Sequence, residues 1–69
     1  MSDEQLIERA IRRFLRDCEA NGAIPQQPSR VGSYVDDDGE IVLANTRGTL
    51  ARYRHRTDSG GRVLLERAD

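Results

Sequence analysis

Residues 40–56 read EIVLANTRGTLARYRHR. Two runs of strand-forming residues flank Asn45-Thr46-Arg47-Gly48, which has the chemistry of a type I turn closing on a left-handed glycine. The stretch therefore predicts a β-hairpin with strands over 40–44 and 49–56. Side chains alternate along a strand, so Ile41 and Leu43 share one face. On the second strand Ala51, Tyr53 and His55 share that face, and Leu50, Arg52, Arg54 and Arg56 take the other.

Working outward, VGSYVD (31–36) is followed by the turn signal Asp37-Asp38-Gly39, and RVLLE (62–66) follows a loop over residues 57–61 that carries Gly60 and Gly61. Connections this short imply that strands adjacent in sequence pair antiparallel, giving a three- to four-stranded meander over residues 31–66. Val63 and Leu65 share a face of the last strand.

Residues 2–20 predict an amphipathic helix. Ser2 as N-cap and Gln5 three residues later make a capping box, and Asp3 and Glu4 suit the positive end of the helix dipole. Leu6, Ile7, Ala10, Ile11, Phe14, Leu15 and Cys18 recur at helical spacing on one stripe. Asn21-Gly22 ends the helix, with Gly22 in the left-handed position, and Pro25 blocks its resumption. Residues 21–30 form an extended connector, with Ala23 and Ile24 expected to tuck under the helix end.

These elements make residues 1–69 a single small α+β domain, with the N-terminal helix packed on the meander. The expected core joins the helix stripe to Ile41, Leu43, Ala51, Tyr53, Val63 and Leu65. One helix covers one side of a sheet. Val42, Ala44, Leu50, Leu64 and the strand arginines are then left on the outer face, so either the sheet curls into a small barrel or that face meets another molecule.

Composition narrows the function classes. The chain has 69 residues, 36% apolar and 33% charged, with a formal net charge of −1. A core this small leaves little stability to spare, and a near-neutral chain exerts no long-range pull on a charged partner. All 11 basic residues are arginine, a usage that fits GC-rich bacterial coding DNA. The lone Cys18 cannot form an internal disulfide. With no signal peptide and no apolar run of membrane length, a cytoplasmic location is expected.

Arg52, Arg54 and Arg56 recur every second residue and span about 13 Å. Such a row can follow phosphates or an acidic protein surface, or simply be a strand face paired with Glu40 or Glu66. Tyr53 and His55 point the other way, which weakens a base-stacking role. Arg9, Arg12, Arg13 and Arg16 occupy the helix face opposite the stripe and are the alternative nucleic-acid-binding residues; the two arginine sets are expected on opposite faces of the domain. Arg47 sits at an exposed turn tip. The acidic run Asp36, Asp37, Asp38 and Glu40 is consecutive and lacks calcium-loop spacing. Cys18 and His55 are too few for a zinc site, and Cys18 on the buried stripe is ill-placed as a nucleophile. No metal, cofactor, small-molecule substrate, membrane or catalytic role is expected. The expectation is a non-enzymatic accessory or regulatory protein that binds another protein, or a second copy of itself, through the outer sheet face. Its contacts would be Val42, Leu50 and Leu64, with Arg52, Arg54, Arg56 and Arg47 at the rim.

Overall fold

The computed structural model describes residues 2–23 and 26–68. Helix α1 spans Asp3–Ala20. It is followed by β1 (Tyr34–Val35), β2 (Ile41–Asn45), β3 (Gly48–Thr57) and β4 (Val63–Arg67). The strands pair antiparallel in the order β1-β2-β3-β4. The protein is thus α+β, a helix on a four-stranded meander, and the sheet is open with β1 and β4 at its edges.

Both ends of α1 are closed by the residues that the sequence marks. The Gln5 N–H donates to Ser2 Oγ (3.3 Å) and the Ser2 N–H donates to Gln5 Oε1 (3.1 Å). At the other end Gly22 has φ +70°. The Ala23 N–H donates to the Cys18 carbonyl (2.9 Å) and the Gly22 N–H to that of Glu19 (3.1 Å), the paired bonds of a Schellman termination. Ala23 is therefore held by its backbone, and its side chain is exposed, not tucked beneath the helix. Ile24 lies outside the described residues.

β1 is shorter than residues 31–36 imply because side chains take over its ladder. Ser33 is buried; its Oγ accepts from the Ala44 N–H (3.2 Å) and donates to the Ala44 carbonyl (3.5 Å). The Ser29 N–H also donates to that carbonyl (2.8 Å). The connector is thus tied to the end of β2. Arg30 links it to the helix through Glu8 (3.1 Å).

The three hairpin turns share one chemistry. Asp36 Oδ1 accepts from the N–H groups of Asp38 (3.0 Å) and Glu40 (2.9 Å), and Asp58 Oδ1 accepts from those of Gly60 (2.9 Å) and Arg62 (2.9 Å). Asn45 Oδ1 accepts from the Arg47 N–H (2.8 Å). In each case the residue three places on is a glycine with positive φ: Gly39, Gly61 and Gly48. An Asp or Asn that bonds the backbone two residues on forms such a turn locally.

The core unites Leu6, Ala10, Ile11 and Phe14 of α1 with Ile41, Leu43, Ala51 and Tyr53 of the central strands. Two outer-face assignments change. The register steps from Leu43↔Ala51 to Ala44↔Thr49, so Leu50 is an extra residue on β3. A bulge of this kind re-aims side chains, and Leu50 packs against the core cluster. Val42 stays on the outer side, opposite Arg52, yet has no exposed surface. Its cross-strand neighbours Tyr34 and Arg52 are both long enough to lie over it, as arginine stems do while keeping the head in water.

The backbone of α1 comes closest to β2 and β1. At the far side of the sheet Val63 and Leu65 pack against the core but stay half-exposed. The helix is displaced toward one edge, and β4 projects beyond it.

Two stability measurements check this arrangement. Phe14, only 6% exposed, should cost about 3–5 kcal/mol on replacement by alanine, read from urea midpoints. A Cβ at Gly22 would meet nothing within 4 Å, so Gly22→Ala should cost only the left-handed backbone penalty, about 1–2 kcal/mol.

Candidate binding groove

The displaced helix opens a groove between α1 and β4. Arg9, Arg12, Arg13 and Arg16 form one wall, and the run Val63–Leu65 forms the other, around a volume of about 280 Å³. The arginines regarded from sequence as the back of the helix therefore border an apolar strip of the sheet edge. Leu64, an expected outer-face contact, also lines this groove.

The rotation of α1 brings this about. Tyr53 is fully buried, and a buried tyrosine hydroxyl needs a partner. It donates to Asp17 Oδ2 at 3.2 Å. Asp17 in turn accepts from Arg13 Nε (3.1 Å to Oδ1, 3.3 Å to Oδ2). At about 100° per residue, Arg13 lies about 40° around the helix from Asp17 and Arg9 about 80°. Fixing Asp17 over Tyr53 thus directs these arginines toward β4. The Arg67 guanidinium carbon lies 5.8 Å from the Tyr53 ring centroid and 6.0 Å from that of Phe14, within cation–π range. It covers the rings at the same end.

The four groove arginines are not equivalent. Arg13 is held by Asp17, and Arg12 contacts Glu8 at 3.6 Å. Arg9 and Arg16 have no carboxylate partner among the described residues. Their charge is open to an incoming anion.

The outer sheet face is different. Arg52 lies 3.6 Å from Asp36 and 3.8 Å from Glu40, and Arg54 Nε lies 3.4 Å from Glu40. Each pair is partly solvated and worth at most about 1 kcal/mol, but together the carboxylates neutralise the middle of the row. Glu66 stands opposite Arg54 in register without reaching it. Arg56 has no ion-pair partner among the described residues, and Arg47 is exposed at its turn. Of the expected apolar contacts, Val42 and Leu50 are withdrawn as described above. One exposed aromatic escaped the sequence reading: Tyr34, 51% exposed, shares the row of Val42 and Arg52. Alternation through the 31–36 run was the signal that could have placed it there.

Cys18 is half-buried against the core, and His55 is half-buried on β3 opposite Leu65. Among the described residues no group of three or more His, Cys, Asp or Glu side chains converges as for a metal ion. None of the described helices is long and apolar enough to cross a membrane. No protein-family model matches the chain, nor does any curated protein or solved structure.

Burial, with the charge and hydrogen bond of Asp17, pushes the Tyr53 hydroxyl up from 10.0 to about 12, against the opposing pull of Arg67 and Arg13. Between these values the unfolded chain loses this proton while the folded chain keeps it, so stability falls as pH rises through that window and is intact below it. Absorbance titration of a Tyr34→Phe variant, in which Tyr53 is the remaining tyrosine, should show ionisation near pH 12 accompanied by unfolding. A step at pH 10 with the fold intact contradicts the Tyr53–Asp17 contact.

Proposed function

We propose that this chain is a small non-enzymatic accessory domain of the bacterial cytoplasm that binds another protein through the α1–β4 groove. The observation that carries the reading is the coexistence, along one exposed strand edge, of the half-exposed Val63 and Leu65 with the two uncompensated cations Arg9 and Arg16. An apolar strip bordered by arginine suits a polypeptide, since interface cores combine apolar contact with arginine. The location rests on composition: a single cysteine and an arginine-only set of basic residues.

The outer face supports the reading less well. Its central arginines are occupied by the protein's own carboxylates, and of its apolar contacts Val42 is buried, Leu50 packs against the core and Leu64 lines the groove. Nucleic acid is the second reading, favoured by Arg9 and Arg16 alone. It is opposed by a net charge of −1 and by a groove wall of aliphatic side chains, where stacking on single strands calls for aromatics beside cations.

Affinity capture from native extract with three baits separates these readings. The wild type and Arg52→Glu/Arg54→Glu should retain one protein partner after nuclease treatment, while Arg9→Glu/Arg16→Glu loses it. Loss on nuclease treatment points to nucleic acid. Loss with the Arg52/Arg54 variant alone restores the outer face.

A further inference from the structure

We infer that the partner segment is an extended acidic strand that adds to β4 as a fifth strand, with every second side chain directed at the helix arginines. The inference rests on the groove reading above and specifies its occupant.

The free edge of β4 is defined by its pairing with β3. The Asp58 N–H donates to the Arg62 carbonyl and the Ala68 N–H to that of Arg52. Antiparallel pairs alternate between bonded and non-bonded. In the register Arg56↔Leu64 and Arg54↔Glu66, the even-numbered residues of β4 therefore bond to β3. The N–H and C=O of Val63 and Leu65 point the other way, out of the sheet. Their side chains pack toward the core beneath the groove. An added strand would bond to these outward groups, and the residues opposite Val63 and Leu65 would face α1. Arg9 to Arg16 covers about 10 Å of helix, the length of about three strand residues. A glutamate at alternate positions would lay its stem over Val63 or Leu65 and bring its carboxylate to Arg9 or Arg16, where a bidentate bond is available.

Charge decides between a foreign strand and a second copy. Pairing β4 with β4 of another copy places a twofold axis through the sheet, so both helices lie on the same face and their arginine walls confront each other. Like charges directly opposed disfavour that pairing. The other edge offers no long alternative, since β1 has two residues. The same arginines that repel a copy attract an acidic strand, so the edge is guarded and selective at once.

The test uses fluorescein-labelled nonapeptides in polarisation titrations with the full chain. One alternates glutamate and threonine, one has the same composition with the glutamates in a block, and one is the alternating peptide N-methylated at every second residue so that one edge cannot donate. The alternating peptide should bind at least tenfold more tightly than either control. Exchange of the Val63 and Leu65 amides should slow at least tenfold on binding, and Arg9→Gln/Arg16→Gln should weaken binding at least tenfold with circular dichroism unchanged. Binding of the N-methylated and block peptides as tight as that of the alternating peptide, with the arginine dependence kept, overturns strand addition while leaving the groove in place. Binding indifferent to the arginine variant overturns the groove as well. Absence of peptide binding, or tighter binding of a labelled single-stranded oligonucleotide, overturns the acidic-strand occupant. A dimer in light scattering whose formation slows the same amides assigns the edge to a second copy and also overturns it.

Discussion

The hydrogen bond from the buried Tyr53 hydroxyl to Asp17 sets the geometry on which the rest depends. An apolar stripe alone fixes which side of a helix is inward only broadly, because any rotation that buries most of the stripe is acceptable. A hydroxyl on a buried ring that must find one partner is far less tolerant. Here it links residues 36 apart in sequence and holds α1 at one rotation. The positions of Arg9, Arg13 and Arg16 follow from it, as does the exposure of β4. A packing requirement in the core thus becomes a pattern of charge at the surface.

The two basic surfaces differ in how they are neutralised. On the sheet, Asp36 and Glu40 belong to one turn, in which hydrogen bonds fix the Asp36 carboxylate and the Glu40 backbone, so Arg52 and Arg54 meet carboxylates of their own sheet. On the helix, Glu8 is shared between Arg12 and Arg30, and Asp17 is shared between Arg13 and Tyr53. Those two acids are already committed, and among the described residues neither Arg9 nor Arg16 reaches a carboxylate. Counting charges by element hides this difference; only the pairing reveals it.

Most of the architecture was legible in the residues. Ser2, Gln5 and Gly22 bounded the helix, Asp37-Asp38-Gly39, Asn45-Thr46-Arg47-Gly48 and the loop with Gly60 and Gly61 marked the hairpins, and Ile41, Leu43, Ala51 and Tyr53 alternated onto the core. What escaped came from interactions at a distance or from irregularity. The bulge at Leu50 breaks strict alternation, and nothing in TLARYR distinguishes an extra residue from a paired one. The arginines of α1 were visible, but their apolar neighbour on β4 was not, because the lateral offset of the helix depends on a contact between separate elements. One clue was available: a tyrosine on a core face calls for a partner, and Asp17 borders the apolar stripe on the facing helix.

Every strand in this sheet bonds only to its neighbour in sequence, and each turn is shaped by an Asp or Asn within it. Chain closure within the sheet is consequently local, and little entropy is lost before its strands begin to pair. Such a topology places the chain among the faster folders of its size for a protein containing a sheet. The one long closure is the docking of α1, whose rotation becomes unique only where Tyr53 meets Asp17.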